Sequence, residues 1–306
     1  MKKSILFPGQ GSQYVGMGRD FYKNFKEAKD VFDEVDNSLN FGLTKIIFED
    51  MHGNINLTAN TQPAIMATGV AIFKVLKSKK GFNINNFNYC AGHSLGEYTA
   101  LVCSEALSLN DAAKILRARG EAMQSAVKPG DGAMAAILGS NISEIEDVLK
   151  KLNLNSVEIS NDNCPGQIVI SGKKNEIDKC CLEIKNIIKK KNIILPVSAP
   201  FHCKLMIPAS DAVKDLISKT DLKQPKIPII TNVDAIETLD TSLIKNLLIE
   251  QIYKRVRWRE IIERMFFNEV SEFTEIGPGK ALSGMLKRFQ KDVLINNYNT
   301  IEDLKF

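Results

Sequence analysis

The sequence predicts an α/β protein of two domains: an α/β-hydrolase-like large domain with a mostly parallel sheet, and an inserted ferredoxin-like βαββαβ small domain. Three observations support this. Strand and helix signals alternate at both ends of the chain, a strand runs through a sharp glycine turn into a helix at residues 87–101, and a turn-rich break at 128–132 starts a different order of elements. We assign residues 1–129 and 198–306 to the large domain and 130–197 to the small domain.

Composition and charge exclude several classes of protein. Of the 306 residues, 44% are hydrophobic and 25% charged, which excludes disordered and fibrous proteins. The net charge of +4 suits an anionic ligand or an acidic partner but is too mild for a dedicated nucleic-acid binder. No apolar run is long enough for a signal peptide or a membrane span. We expect a cytoplasmic monomer that binds neither nucleic acid nor membrane.

The six cysteines and three histidines predict no metal site. The cysteines form no Cys-x-x-Cys pair and no cluster with histidine at zinc spacing. We interpret them as reduced thiols of a cytosolic protein.

The first predicted strand, Ser4–Phe7, leads into a glycine-rich loop. A dinucleotide-binding loop would need a glycine at position 14, where this chain has Tyr14. We therefore interpret the loop as a tight turn whose N–H groups can serve an anion or an oxyanion.

Helical spacing of apolar residues predicts three helices in the first part of the chain. The first covers residues 26–39, the second is capped by Asn60 or Thr61 and ends at Gly81, and the third covers 110–127. The second helix is apolar on several sides, so we expect it to be deeply buried against the central sheet.

Ser94 is a candidate nucleophile. Alternating apolar residues lead to Gly92, Ser94 stands between Gly92 and Gly96, and a helical segment follows at once. Such a turn projects the serine hydroxyl at the carboxyl end of a strand, beside the free N–H groups of the next helix. The glycines permit the close backbone approach that the turn requires.

Arg119 lies on the apolar stripe of helix 110–127, between Leu116 and Met123, whereas Arg117 lies on the polar face. An unpaired buried charge costs several kcal/mol, so Arg119 requires an anionic partner. Two interpretations stay open: an ion pair with an internal Asp or Glu, or a substrate carboxylate held by two parallel hydrogen bonds.

The remaining predicted strands and helices fall into two groups, one within the small domain and one after it. Within the small domain the pattern predicts strand 133–138, helix 143–152, strands 156–160 and 167–171, helix 174–190 and strand 192–197. Beyond it the pattern predicts strands 227–231, 271–276 and 293–297, and helices near 240–253, 258–268 and 280–290.

A serine nucleophile needs a base, and histidine is the usual one. His52 lies in a polar loop, and the side chain of His93 points away from that of its neighbour Ser94 on an extended turn. His202 lies where the chain leaves the small domain and re-enters the large one, which places it at the cleft between them. We predict His202 as the base. No Asp or Glu stands out as its partner.

Several short motifs together resemble one family. They are Phe7–Gln13 (FPGQGSQ), Thr61–Ala64 (TQPA), Gly92–Tyr98 (GHSLGEY), Arg119–Gly120, Pro165–Gln167, Pro200–His202, Gln251 with Val256 and Trp258, and Glu275–Gly279 (EIGPG). In combination they resemble the free-standing malonyl-CoA:acyl-carrier-protein transacylases of fatty acid synthesis. The resemblance runs from the first strand to the last helix.

The resemblance implies an acyltransferase that moves malonyl from malonyl-CoA to the phosphopantetheine thiol of acyl carrier protein. It implies that Ser94 carries the malonyl group as an ester, that His202 acts as general base and acid, and that Arg119 binds the malonyl carboxylate. The CoA thioester is a substrate, so no cofactor is implied.

The resemblance also assigns the supporting residues. The backbone N–H groups of Gln10 and Leu95 would form the oxyanion hole, and the main-chain carbonyl of Gln251 would orient the histidine. Phe201 would shape the pocket around the malonyl C2, with simple hinge packing as its alternative. Arg255 departs from the proline of similar sequences, which puts the local geometry of the Gln251 carbonyl in doubt.

Two rival functions stay open on the residues alone: a serine hydrolase, which shares the nucleophile turn, and a non-catalytic acyl-CoA or carrier-protein binding module. A buried arginine behind the serine favours transfer over hydrolysis, and a binding module needs neither Ser94 nor His202.

An acidic carrier protein could dock on Lys189–Lys191 or on the cluster Lys254, Arg255, Arg257 and Arg259, although either could be a solvated face.

Overall fold

The computed structural model describes residues 1–197, 199–289 and 292–304. In chain order the strands are β1 (Lys2–Phe7), β2 (Tyr89–Gly92), β3 (Gly132–Leu138), β4 (Val157–Cys164), β5 (Gln167–Lys173), β6 (Lys191–Ile194), β7 (Ile229–Ile230), β8 (Glu237–Thr238), β9 (Val270–Ile276) and β10 (Leu294–Tyr298). The helices are α1 (Arg19–Asn24), α2 (Lys26–Leu39), α3 (Leu43–Glu49), α4 (Thr58–Lys80), α5 (Gly96–Cys103), α6 (Leu109–Ser125), α7 (Ile142–Leu152), α8 (Lys174–Ile187), α9 (Ile207–Lys219), α10 (Thr241–Glu250), α11 (Trp258–Phe267) and α12 (Ala281–Leu286).

The larger sheet has the strand order β10-β9-β1-β2-β7-β8 among the described residues. All its pairings are parallel except that of β7 with β8. The smaller sheet has the order β4-β5-β3-β6 and is antiparallel. The predicted α/β class, with a mostly parallel sheet and a separate small sheet, is confirmed.

Strands β3, β4 and β5 of the smaller sheet are mostly buried, whereas the edge strand β6 is largely exposed. Side chains alternate between the two faces of β3. Ala135 and Ile137 pack against the helices α7 and α8, whereas Met134 and Ala136 belong to the main hydrophobic core, which also contains residues of the larger sheet. The chain order is β3-α7-β4-β5-α8-β6. The small sheet therefore closes one side of the space above the carboxyl ends of β1 and β2.

The long helix α4 is buried along most of its length and packs against α2, α5 and α6. Its predicted start was wrong: the helix begins at Thr58, with Leu57 as its N-cap. The side chains of Asn60 and Thr61 do not cap it because they donate hydrogen bonds to backbone carbonyls of the preceding turn, at 2.8 Å and 2.6 Å.

Strand β4 is longer than predicted and ties the two sheets together. The prediction ended it at Ser160, but it continues through two register shifts to Cys164. Val256 donates its N–H to the Ser160 carbonyl at 2.8 Å and accepts from the Asp162 N–H at 2.9 Å. The buried Asp162 carboxylate also pairs with Arg259 at 2.9 Å. These bonds fix the small sheet to the segment before α11.

Two predicted boundaries fall on positions outside the described residues. The predicted last helix, 280–290, is observed as α12 and ends at Leu286, and residue 290 is not described. Residue 198, the predicted return to the large domain, is not described either. Across the described helices, none combines the length and apolar character needed to cross a membrane.

Candidate active site

Ser94 lies on a strained turn at the carboxyl end of β2. Its φ is 52°, a left-handed conformation that residues other than glycine seldom adopt. The strand ends at Gly92, the helix α5 begins at Gly96, and a Cβ on Gly92 would lie 1.9 Å from the Gly96 carbonyl carbon. The turn therefore requires glycine at position 92.

The hydroxyl of Ser94 meets the imidazole of His202. Oγ lies 2.9 Å from Nε2, and Nδ1 lies 2.7 Å from the backbone carbonyl oxygen of Gln251. Because a carbonyl only accepts, Nδ1 carries the proton and Nε2 is free to accept from the serine. Burial, and next the charge of Arg119, lower the pKa of His202 to about 3. The imidazole is therefore neutral at physiological pH.

Arg119 is buried, as its place on the apolar stripe predicts, with 1% of its surface exposed. Nη1 donates to Gln62 Oε1 at 2.6 Å, and Nη2 donates to Gln251 Oε1 at 2.8 Å and to Ser94 Oγ at 3.1 Å. Among the described residues, its Nε has no hydrogen-bond partner and no carboxylate lies within ion-pair distance. The arginine is thus held by neutral oxygens, not by an internal ion pair.

A cavity of about 460 Å³ opens above Ser94, between the two sheets. Six of the seven residues singled out in the sequence line it: Gln10, Ser94, Leu95, Arg119, Phe201 and His202. Gln251 does not line the cavity; it lies buried behind His202 and Arg119. Much of the remaining wall is apolar, including Met123, Met134, Val169 and Leu282.

Two backbone N–H groups are available beside Ser94. Within the described part of the chain, neither Gln10 nor Leu95 donates its backbone N–H to a protein acceptor. Leu95 is the N-cap of α5, where the partial positive charge of a helix is concentrated. Gln10 belongs to the loop after β1, whose Gly9 packs against the backbone carbonyl of His93.

Sequence reasoning missed Asn232, which holds the nucleophile turn. Its Oδ1 accepts from the Ser94 N–H at 2.7 Å, and its Nδ2 donates to the Gly92 carbonyl at 2.7 Å. Asn232 follows the short strand β7 at the carboxyl edge of the parallel sheet. A polar residue at that edge is the signal that could have found it.

Sequence reasoning also missed Gln62, which accepts the hydrogen bond from Arg119 Nη1, and Glu97. Glu97 is 1% exposed, and its Oε2 accepts from the Asn232 N–H at 3.1 Å and from Gln251 Nε2 at 2.8 Å. Gln251 contributes its side chain in addition to the expected carbonyl. An acidic residue in the otherwise apolar first turns of α5 was the available signal for Glu97.

The other two histidines, His93 and His52, make contacts away from the Ser94 hydroxyl or lie on the surface. His93 Nε2 lies 2.9 Å from Asn163 Oδ1, and its ring packs on Trp258 at a centroid distance of 5.5 Å. His52 lies in an exposed loop. Neither bonds to the Ser94 hydroxyl among the described residues.

The cysteines and carboxylates of the described residues form no group that could hold a metal ion. All six cysteine thiols are free and buried. Burial raises the pKa of each thiol above its usual value.

The chain matches known proteins over nearly its whole length. The model of the acyl transferase domain family matches residues 5–298. A Bacillus subtilis (strain 168) protein named malonyl CoA-acyl carrier protein transacylase is 42% identical over 98% of this chain and 95% of its own. The chain belongs to the malonyl-CoA:acyl-carrier-protein transacylase family. The resemblance carried by the sequence motifs is confirmed.

Solved structures of the transacylase family share this fold. The acyl-carrier-protein-S-malonyltransferase of Bartonella henselae superimposes with a TM-score of 0.96 at 41% identity, covering 100% of this chain and 98% of its own. A malonyl-transacylase in complex with its type II PKS acyl-carrier protein gives 0.94 at 34% identity, covering 99% and 98%. The transacylase fold thus extends over both sheets.

Proposed function

We propose that this chain moves a malonyl group from malonyl-CoA to the phosphopantetheine thiol of acyl carrier protein, through a malonyl ester on Ser94, in fatty acid biosynthesis. The observation that carries the proposal is the position of Arg119. Its buried guanidinium lies 3.1 Å from Ser94 Oγ and is held by neutral amide oxygens. It can therefore receive the free carboxylate of a malonyl group whose thioester carbon meets the serine.

In the first half-reaction, Ser94 Oγ attacks the thioester carbonyl carbon while His202 Nε2 takes the hydroxyl proton. The carbonyl oxygen becomes an oxyanion, which accepts hydrogen bonds from the N–H groups of Gln10 and Leu95. The carbon–sulfur bond then breaks, and CoA leaves with the proton returned by His202. Loss of one oxyanion donor typically costs about 3 to 4 kcal/mol of transition-state stabilisation.

In the second half-reaction the phosphopantetheine thiol gives its proton to His202, and its sulfur attacks the malonyl ester. The carbon–oxygen bond breaks, and Ser94 Oγ recovers the proton. The Gln251 carbonyl orients the imidazole in both steps in place of a carboxylate. Both half-reactions are completed by groups of the chain, malonyl-CoA and the carrier-protein thiol.

Arg119 and Phe201 determine which acyl group the site accepts. An acetyl group would leave the guanidinium without its carboxylate, so uncharged acyl groups are disfavoured. Phe201, 6% exposed, lines the cavity beside His202. We assign its ring to the wall around the malonyl C2, where it would crowd a branched acyl group.

The docking surface for the acidic carrier protein is Lys189–Lys191. The alternative cluster is neutralised internally: Lys254 pairs with Glu250, Arg255 with Glu146, Arg257 with Glu260 and Arg259 with Asp162. Lys189 and Lys191 are exposed and have no ion pair among the described residues. Lys191 is the first residue of β6, and the chain reaches the cavity wall just after that strand, at residues 195–197.

We also propose the finer division of the fold. The observed strand order and βαββαβ connection of residues 130–197 support a ferredoxin-like domain inserted into an α/β-hydrolase-like domain formed by 1–129 and 198–306. The monomeric state and the cytoplasmic location stay predictions.

Intact-mass spectrometry after mixing with malonyl-CoA tests the function. A malonyl adduct that persists without acceptor, disappears in Ser94→Ala and is discharged by acyl carrier protein supports the transferase. Rapid release of malonate without acceptor would identify a hydrolase instead. Absence of any adduct, with CoA ester binding retained, would identify a binding module.

A further inference from the structure

A single buried carboxylate, Glu97, connects the residues that hold the nucleophile, the base and the arginine. We infer that Glu97 is a positioning residue: it fixes the direction of the Gln251 side-chain amide, through it the place of Arg119, and thereby the preference for malonyl over acetyl thioesters. The inference rests on the proposed function, because it requires Arg119 to bind the malonyl carboxylate.

The contacts of Glu97 lead in two directions. Its Oε2 accepts from the backbone N–H of Asn232 at 3.1 Å, and the side chain of Asn232 holds Ser94. The same oxygen accepts from Gln251 Nε2 at 2.8 Å. Glu97 lies in the first turn of α5, where the helix dipole favours a negative charge. It is nearly inaccessible to solvent and lines no part of the cavity.

Glu97 determines which way the Gln251 amide faces. The two hydrogens on Nε2 are both used, one by Glu97 and one by the Ser94 carbonyl at 3.1 Å. The amide oxygen is therefore turned toward Arg119, whose Nη2 it accepts at 2.8 Å. With the amide reversed, an NH₂ group would face the guanidinium, and the amide oxygen would face the Glu97 acceptor.

The direction of this amide matters for Arg119 because, among the described residues, two side-chain amides and the Ser94 hydroxyl accept hydrogen bonds from its guanidinium. Gln62 binds Nη1 and Gln251 binds Nη2, while Nε has no hydrogen-bond partner in the described part of the chain. Loss of the Gln251 acceptor leaves Arg119 free to rotate away from Ser94 Oγ. A displaced guanidinium would bind the malonyl carboxylate weakly but would leave acetyl transfer nearly untouched.

The role of Glu97 is that of an acceptor and not of an ion-pair partner. Within the described residues no cation lies at ion-pair distance from its carboxylate. Burial raises the pKa of Glu97 to about 7, so the neutral acid is well populated near physiological pH. Both hydrogen bonds fall on one oxygen, and a glutamine side chain offers that oxygen with the same length and shape.

Two variants separate the acceptor from the charge. The ratio of kcat/KM for malonyl-CoA to kcat/KM for acetyl-CoA is measured in wild type, Glu97→Gln and Glu97→Ala, with thermal melting in parallel. We expect Glu97→Gln to keep the ratio within about twofold. Glu97→Ala should lower it about tenfold through the KM for malonyl-CoA, because the Gln251 amide loses the acceptor that keeps its oxygen turned toward Arg119. A Glu97→Ala protein that slows both substrates equally would make the residue merely structural and overturn the inference.

Gln251→Met gives the same test if Glu97→Ala fails to fold, because it removes the amide and keeps the backbone carbonyl. It should lower the ratio about as much, and an unchanged ratio refutes the inference. Failure of the proposed function is recognised by a separate result. If Arg119 does not bind the malonyl carboxylate, Arg119→Ala alone will leave the ratio unchanged. In the Arg119→Ala background Glu97→Ala should add no further change in the ratio, and an additional loss would mean that Glu97 acts by another route.

Discussion

Ser94 and His202 both adopt left-handed backbone conformations, with φ of 52° and 57°, and their side chains meet with Oγ 2.9 Å from Nε2. Neither residue is glycine, so each conformation costs on the order of 1–3 kcal/mol. Asn232 holds the backbone N–H of the first residue, and the Gln251 carbonyl holds the ring of the second. The pair is therefore set in place by the fold before a substrate binds.

Replacement of His202 by alanine should abolish rapid acylation of Ser94. A positioned general base contributes about 10²- to 10⁴-fold, so we expect a loss of that size in the rate of adduct formation from malonyl-CoA. Quenched-flow sampling with intact-mass detection measures it. The matched control is His93→Ala, which removes a partly buried histidine that does not bond to the Ser94 hydroxyl. Equal losses in the two variants would contradict the assignment of the base.

In the pH profile of the Ser94 acylation rate, the fall on the acid side (the acid limb) should lie at a pH far below the usual histidine pKa. Burial and the Arg119 charge lower the pKa of His202 from 6.5 to about 3, so its base form persists in mild acid. We expect the rate of Ser94 acylation to stay flat from about pH 8 down to about pH 5. Arg119→Ala should move the limb to higher pH. A wild-type limb centred near pH 6.5 would be inconsistent with this site.

Loss of the Arg119 guanidinium should damage malonyl transfer far more than acetyl transfer. Truncating one partner of a buried charged contact costs about 2–5 kcal/mol, which corresponds to a loss of about 30-fold to a few thousandfold in kcat/KM for malonyl-CoA. Steady-state rates with malonyl-CoA and acetyl-CoA measure the difference. The neighbouring Arg117→Ala, which removes a partly exposed ion pair with Glu121, is the control. Equal loss with both substrates would exclude a carboxylate clamp.

Reversal of the charges at Lys189 and Lys191 should weaken use of acyl carrier protein. We expect Lys189→Glu/Lys191→Glu to lower kcat/KM for the carrier protein about tenfold at low salt and to leave a small thiol acceptor unaffected. The difference should shrink as salt is added. Lys23→Glu/Lys214→Glu makes the same change in net charge at two other exposed positions. A matching loss in that control would show a general charge effect.

Alanine at Gly92 should destabilise the fold by about 3 kcal/mol, because its Cβ would lie 1.9 Å from the Gly96 backbone and neither segment can move independently. Chemical denaturation measures the change in the free energy of unfolding. Gly284→Ala is the matched control, since Gly284 lies in α12 with nothing within 4 Å of the added Cβ. That variant should gain up to about 1 kcal/mol. A Gly92→Ala protein as stable as wild type would contradict the account of the turn.

Much of the site could be predicted because its signals are local. Ser94 stands between two glycines after a strand, Arg119 lies on an apolar helix stripe, and His202 follows the small unit. The hydrogen-bond partners of Glu97, Asn232 and the Gln251 side chain could not be predicted in this way. The side-chain hydrogen bonds of these three join residues 132 to 157 positions apart, so they depend on how the strands are ordered in the sheet.

The errors in the fold also have physical causes. The sequence Asn161–Asp162–Asn163 is typical of a turn, but in β4 these polar residues are satisfied by contacts across the two sheets. Asp162 bonds to Val256 and pairs with Arg259, and Asn163 bonds to His93. The strand β7 has only two residues, so the longer strand predicted there reflects hydrophobicity and not pairing.

The buried state of the six cysteines has a consequence for redox chemistry. The proposed reaction brings two foreign thiols, CoA and phosphopantetheine, into the cavity at every turnover. Thiol–disulfide exchange requires an accessible thiolate, and burial keeps each of the six sulfurs both protonated and out of reach. While the protein is folded, mixed disulfides between these substrate thiols and its own cysteines are therefore disfavoured.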